Sequence, residues 1–441
     1  MVLLLPAIVL NTILLNTVAL GQSAPGTEAE PTVQMLLHRI EQLEARVAQL
    51  EAAKQVSAPV PASPVPATTT ATGRAKSIAP EEASHQSESE SEQQAGMGLE
   101  PERMDFSKTL LRIRGFGDIN FHGDTQKGDT TSFTLGQLNL FVTSDISEKF
   151  KFLSEIVFEA GPDNIYGVTR GQSNVFGVDI ERYLLQYSYN DYFNLSVGRY
   201  HTAIGYYNTA YHHSTWFQTT TGRPFLFQFE DQGGILPIHT VGVSASGLIP
   251  SGALGLHYVA EVGNGRESRN PIAEEPVQNI VDDQNHKAFN LALFARPESV
   301  RGLQAGFSVY RNVLAPAESA RVGQTILAAH AVYIRPNFEW LNEALVVRDA
   351  PLGQSHIFQT PGFYTQISKR FGAYRPYFRY QYINGSDHEP IFPDVGHRQG
   401  PSAGIRFDAS ESVALKLQYD YTTIRNQQAI NALALQVGFT F

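Results

Sequence analysis

Apolar residues fall at every second position toward the end of the chain. Leu433, Leu435, Val437, Phe439 and Phe441 alternate with the small or polar Ala434, Gln436, Gly438 and Thr440. A period of two puts one set of side chains in an apolar medium and the other set outside it, as in a β-strand with two different faces. The pattern recurs back to about Leu110. Tyr374, Phe378, Tyr380 and Tyr382 oppose Arg375, Tyr377, Arg379 and Gln381, while Leu415, Leu417, Tyr419 and Tyr421 oppose Lys416, Gln418 and Asp420. Leu111, Ile113 and Ile119 oppose Arg112, Arg114 and Asp118, and Phe150, Phe152, Ile156 and Phe158 oppose Lys151, Glu155 and Glu159.

The alternation divides the chain into candidate strands near 110–121, 131–144, 149–159, 175–189, 193–200, 238–248, 254–263, 286–296, 302–311, 323–335, 337–347, 358–370, 373–383, 400–409, 411–421 and 428–441. Every second connection is short, such as 145–148, 190–192, Pro336 and Ser410, whereas 160–174, 201–237, 264–285, 312–322 and 384–399 are long. Short turns on one rim and long loops on the other are characteristic of membrane-spanning barrels. The expected fold is an all-β transmembrane antiparallel barrel of about 16 strands, with about 14 or 18 also compatible, and both termini on the short-turn side.

The N-terminal part carries other periods. Residues 2–20 are apolar and end in Ala19-Leu20-Gly21, which reads as a signal peptide over 1–21. Its lack of Lys or Arg also leaves an uncleaved anchor open. A spacer (22–31) precedes a coiled coil (32–55) with Val33, Leu36, Ile40, Leu43, Val47 and Leu50 as its core. Its core residue types follow the rule for dimers. Arg39-Ile40-Glu41-Gln42-Leu43-Glu44 and Arg46-Val47-Ala48-Gln49-Leu50-Glu51, however, both resemble an Arg-h-x-x-h-Glu pattern (h, apolar) that specifies trimers. Residues 56–105, rich in Pro, Ser and Glu, are expected to be a disordered linker, and the barrel occupies 106–441.

Composition narrows the classes. The 441 residues are 17% charged and 11% aromatic, and mean hydropathy is −0.20. No apolar run after Leu20 is long enough for a helical span, which needs about 20 residues. The absence of cysteine excludes disulfides, thiolate metal sites and a lipoprotein anchor. A net charge of −10 argues against nucleic acid.

A charge facing lipid costs about 2–4 kcal/mol near the midplane, so charged faces must look into the lumen. The candidate pore-lining cations are Arg112, Arg114, Lys151, Arg182, Arg375, Arg379, Arg406 and Lys416; Asp118, Glu155, Glu159, Glu261, Glu339, Glu343, Asp408 and Asp420 balance them. Arg375, Arg379 and Arg406 could form a basic track, or the wall could be a mixed one with ordinary ion pairs. The 201–237 connection is the longest, and it carries Tyr206, Tyr207, Tyr211, Trp216, Phe217, Phe225, Phe227 and Phe229. That aromatic mass has to be buried, either inside the barrel as a constriction or as a cap or subunit contact. Tyr206, Tyr211, Arg223, Glu230 and Asp231 are its candidate constriction residues. His212-His213 are weak as metal ligands, and no cofactor or metal is expected.

Arg112-Ile113-Arg114-Gly115-Phe116-Gly117-Asp118 and the terminal Phe441 resemble bacterial outer-membrane porins, particularly the phosphate-selective porin O/P-like group, over roughly 110–441. The resemblance implies an outer-membrane homotrimer with an inward third loop, inserted by the barrel-assembly machinery through its C-terminal strand and surrounded by outer-membrane lipids. Anion-selective members place Lys on that loop. Residues 201–237 contain only Arg223 as a fixed cation, so phosphate selectivity does not carry over. The expected function is passive diffusion of small hydrophilic solutes, not an enzyme activity. The alternative is a tether from the outer membrane to the cell wall or a periplasmic partner through the coiled coil. A barrel lipase using Ser214 with His201, His212 or His213 lacks a nucleophile-like context.

Overall fold

The structure is a computed structural model and describes residues 110–126, 128–160, 176–211, 215–229, 233–266, 285–316 and 320–441. The expected signal peptide, spacer, coiled-coil core and linker lie outside these residues, as do His212, His213, Ser214, Glu230 and Asp231.

Alternation becomes hydrogen bonding in β1 (Leu110–Asp124), β2 (Ser132–Asp145), β3 (Phe150–Ala160), β4 (Phe176–Asn190), β5 (Phe193–His201), β6 (His239–Ile249), β7 (Leu256–Asn264) and β8 (Lys287–Ala295). It continues in β9 (Leu303–Leu314), β10 (Val322–Arg335), β11 (Phe338–Pro351), β12 (Phe358–Lys369), β13 (Tyr374–Asn384), β14 (His397–Asp408), β15 (Val413–Ile424) and β16 (Ile430–Thr440). Each strand pairs antiparallel with its sequence neighbours, and β1 pairs with β16 to close a 16-stranded barrel. The seam extends to Phe441, whose backbone exchanges hydrogen bonds of 2.9 and 3.0 Å with Gly115. Among the described residues, no helix is long and apolar enough to cross a membrane. The expected fold class and strand number are observed.

Two β-bulges explain where the simple alternation skips. Outward-facing apolar residues step by two, except from Leu135 to Leu138 and from Ile180 to Tyr183, where they step by three. At the first skip β2 carries one extra residue opposite Asp118, and at the second β4 carries one opposite the Glu155–Ile156 step. The extra residue re-aims the strand, so that both halves keep their apolar side outward. Leu111, Phe133, Val178, Phe289, Phe307 and Leu417 stand exposed on that outer surface. No water-soluble fold leaves an apolar band of this kind unburied; it is a surface made for hydrocarbon.

The inward face is polar over much of the wall but not all of it. Tyr310, Leu314, Val322, Ile326, Leu341, Leu345, Val347, Tyr364 and Ile383, from β9 to β13, point inward and are buried. They meet Ile204, Tyr207, Leu226, Phe227, Ile235, Leu236 and Ile238 of the connection after β5, together with Ile391, Phe392 and Val395 of the connection after β13. A small hydrophobic core therefore sits inside the barrel. Each fully buried side chain of this size contributes roughly 1.5–3 kcal/mol, which explains why so aromatic a connection lies inside.

Candidate pore constriction

The connection between β5 and β6 enters the lumen through a closed neck. His201 and His239 lie opposite each other in register. Just inside, the Thr202 and Thr240 hydroxyls are 2.8 Å apart. Asn208 Nδ2 donates to both Thr202 O (2.8 Å) and Ile238 O (3.0 Å), tying the two arms together. The neck leans on buried charge. Arg182 Nε donates to Glu155 at 2.6 Å, His201 Nε2 lies 3.7 Å from the same carboxylate, and His239 pairs with Glu181.

Beyond the neck, the loop's backbone donors meet an acidic wall. Ala203 N donates to Glu261 at 3.0 Å. Tyr206 N and Tyr207 N donate to the two oxygens of Glu343 at 2.6 and 2.9 Å, and Tyr364 Oη donates to Glu343 at 2.7 Å. These amides open the short helical turn Tyr207–Ala210, whose first N–H groups have no partner within the turn. Gly205 makes the approach possible: its φ is +72°, and a side chain there would run into Glu343. Tyr211 Oη and Thr219 Oγ1 both donate to Glu339, at 3.3 and 3.2 Å.

The loop's carbonyls meet a basic wall on the opposite side of the chain's course. Arg406 donates to Trp216 O (2.5 Å) and Gln218 O (3.0 Å). Lys416 Nζ donates to Thr215 O (2.5 Å), Thr220 O (3.0 Å) and Gln436 Oε1 (2.8 Å). Arg379 donates to Gly222 O at 2.8 Å. Amides fill in between: Gln418 accepts from Thr221 N at 3.2 Å and Gln381 from Phe225 N at 3.1 Å. Arg223 stays within the loop, stacked 4.0 Å from the Phe229 ring centre and donating to Phe227 O.

The structure thus sorts the sequence candidates into two groups. Arg379, Arg406, Lys416, Glu261, Glu339 and Glu343, with Tyr206, Tyr211 and Arg223, meet at the inward loop. Arg112, Arg114 and Lys151 stand exposed toward the short-turn rim, where Arg112 and Lys151 lie 3.5 and 4.0 Å from Asp145. Arg375 donates to Pro336 O at 3.1 Å in the same rim region. Asp118 accepts from Asn120 (2.6 Å) and Gln137 N (3.1 Å), Asp408 pairs with Arg406 at 2.7 Å, and Asp420 accepts from Ser402 and Gln418. Glu159 lies opposite Gln137 in register.

Sequence reasoning put Gln381, Gln418 and Gln436 on the polar faces of their strands without singling them out as anchors, and it missed Gln366 and Asn290, which alternation also turns inward. It also missed the connection after β13, where the apolar pair Ile391-Phe392 is as out of place in a solvated loop as the aromatics of 201–237.

At the height of the loop the inward wall is covered. Asn139, Glu155, Glu261, Asn290, Glu343, Gln366, Arg379, Ser402, Lys416 and Gln436 are all buried. Two open volumes flank the loop. One, of about 880 Å³, lies on the long-loop side between Asn120, Asp124, Arg223, Gln228, Asp394, Arg398, Asp420 and Arg425. The other, of about 390 Å³, lies between Tyr206, Arg296, Gln304, Phe307 and His330. The inward loop borders both volumes, through Thr221 to Gln228 in the larger and Ala203 to Ala210 in the smaller.

No protein-family model and no curated protein matches the chain. Among solved structures, the outer membrane channel DcaP of Acinetobacter baumannii is 12% identical, with 76% of this chain and 98% of that one aligned at a TM-score of 0.50. Outer-membrane expressed OmpT of Vibrio cholerae is 9% identical over 76% and 98% at 0.49. The likeness to DcaP is one of fold, and it extends over nearly the whole of that chain.

Proposed function

We propose that the protein is an outer-membrane channel for passive diffusion of small hydrophilic solutes and ions, narrowed by the 201–237 loop. The observation that carries this reading is a loop seated between an acidic and a basic wall, inside a barrel whose outer face is apolar. Barrels of this strand number are wide enough for an aqueous passage, and such a loop narrows that passage without closing the fold around it. The wall cations Arg379, Arg406 and Lys416 are engaged with loop carbonyls, which favours size exclusion over a single-sign ion filter.

In this reading a signal peptide directs export and the short turns face the periplasm. The chains form a homotrimer around the coiled coil 32–55, and the linker joins that stalk to the barrel. Planar-bilayer recording of the full-length protein, shown to be folded by heat-modifiable gel mobility, tests the channel. Stepwise conductance in groups of three is expected, and silence in several salts would refute it. Deletion of 27–100 should leave the conductance of each step unchanged. Loss of envelope attachment in that deletion would add a tethering role for the stalk.

A further inference from the structure

The connection after β13, residues 385–396, is folded down onto the inward loop. Its ends are joined by Gly385 N donating to Gly396 O at 2.6 Å. Ile391 and Phe392 are 2% and 0% exposed and belong to the same interior core as Leu236 and Phe227. Arg266, from the segment after β7, ties the two loops together. It donates to Gly234 O at 2.8 Å, and its guanidinium stacks 4.8 Å from the Phe392 ring centre. Pro393 to Arg398 also form one side of the 880 Å³ volume, opposite Thr221 to Gln228 of the inward loop. Lifting 385–396 would open that volume toward the long-loop rim.

Under this connection lie two carboxyl groups. Glu389 and Asp349 are 2% and 1% exposed, and their side chains hydrogen-bond to each other. Glu389 accepts from Ile391 N at 2.9 Å and also from Phe392 N, so its carboxyl shapes the very turn that carries the buried apolar pair. Gln324 Nε2 of β10 donates to Asp349 at 3.1 Å. Among the described residues, the charged group facing the pair is Arg266; β10 contributes the neutral Gln324, and β11 contributes Asp349 itself. Two carboxylates in contact without a proton between them repel, and neither can turn to water. One shared proton makes the contact attractive.

We infer that residues 385–396 form a proton-dependent lid over the channel, latched by a single proton shared between Glu389 and Asp349. The inference rests on the channel reading for its physiological meaning but not for its test. Burial, reinforced by the neighbouring Asp349 carboxylate, pushes the Glu389 carboxyl up to about 8. A glutamate on a released lid ionises in the ordinary carboxylate range. The docked lid therefore holds its proton where the released lid has lost it. The proton's contribution to docking is full at acid pH, falls as pH rises above the ordinary carboxylate range, and is lost above the raised value. The lid shuts in acid and lifts in alkali.

The chain contains no cysteine, so one thiol placed at Val395→Cys reports the lid alone. Its labelling by a water-soluble maleimide is measured from about pH 5 to about pH 9 in folded full-length protein. Rates are divided by those of an exposed Ser410→Cys control, which removes the pH dependence of the reagent. A rise of at least about tenfold is expected. Glu389→Gln keeps both acceptor bonds and donates permanently to Asp349, so it should hold the rate at its low value throughout; Asp349→Asn should do the same. Wild-type labelling independent of pH, or an unchanged rise in both variants, would overturn the inference. Conductance recorded in parallel should follow the labelling. Labelling that rises with pH in a protein silent at every pH would leave the lid standing and remove the channel.

Discussion

Replacing Glu343 by Gln removes one charge and almost no volume, yet it should loosen the constriction. Both carboxylate oxygens are committed: one accepts from Tyr206 N, the other from Tyr207 N and Tyr364 Oη. An amide has one acceptor oxygen. If it faces Tyr206, the amide nitrogen meets the Tyr207 N–H; if it faces Tyr207, it meets the Tyr206 N–H. In either rotamer one buried backbone donor loses its acceptor, at a cost of about 1–3 kcal/mol, and the surviving bonds lose the strength that an ionised acceptor gives. The combined effect is about 3 kcal/mol on loop docking, a shift of roughly two orders of magnitude between docked and released loop. Neither a Leu341 nor a Val347 contact is disturbed, so the barrel should still fold and show normal heat-modifiable mobility. Single-channel recording of Glu343→Gln should show larger or noisier openings than wild type. Openings of unchanged size and lifetime would refute the view that Glu343 holds the loop by its two oxygens.

Lys416→Met leaves Thr215 O, Thr220 O and Gln436 without their donor, so it should enlarge the bore while shifting ion preference little, as reversal potentials in a salt gradient will show. Gly205→Ala forces a side chain into a positive φ and against Glu343; a loop displacement similar to that of Glu343→Gln is expected, read by the same recording. Arg182→Met strands the fully buried Glu155 carboxylate and should destabilise the barrel by about 3–5 kcal/mol in urea unfolding, with most of the loss recovered in Arg182→Met/Glu155→Gln.

The barrel was legible because lipid leaves only one face of each strand to choose. Leu433 to Phe441 and Tyr374 to Tyr382 had to turn their apolar sets outward, and hydrogen-bonding closure followed. Strand ends were less legible. β14 begins at His397 and β9 runs to Leu314, past the candidate limits of 400 and 311, because strands continue beyond the apolar band where no alternation is required. The inward course of 201–237 was legible from its aromatic content, since that mass had to be buried. The partners of the interior charges were not. Alternation tells which way Arg406 or Glu343 points, but a partner across the lumen is set by loop geometry, which has no period. The apolar inner face of β9 to β13 escaped for a related reason. A lumen is expected to be wet, and Leu341 or Val347 reads as a packing residue only once a second layer is known to lie against it.

The walls hold the constriction loop largely by its peptide groups. Arg379, Arg406, Lys416 and Gln436 reach carbonyls, while Glu261, Glu343, Gln381 and Gln418 reach amides, and every residue type offers those same atoms. Side chains add to that grip within 215–222: Thr219 reaches Glu339, Gln218 accepts from Tyr207 Oη, and Thr220 accepts from Arg379. Phe217 stands apart from them, 48% exposed. It is the position of this segment where a side chain can be exchanged while the seat, written in the walls, stays in place.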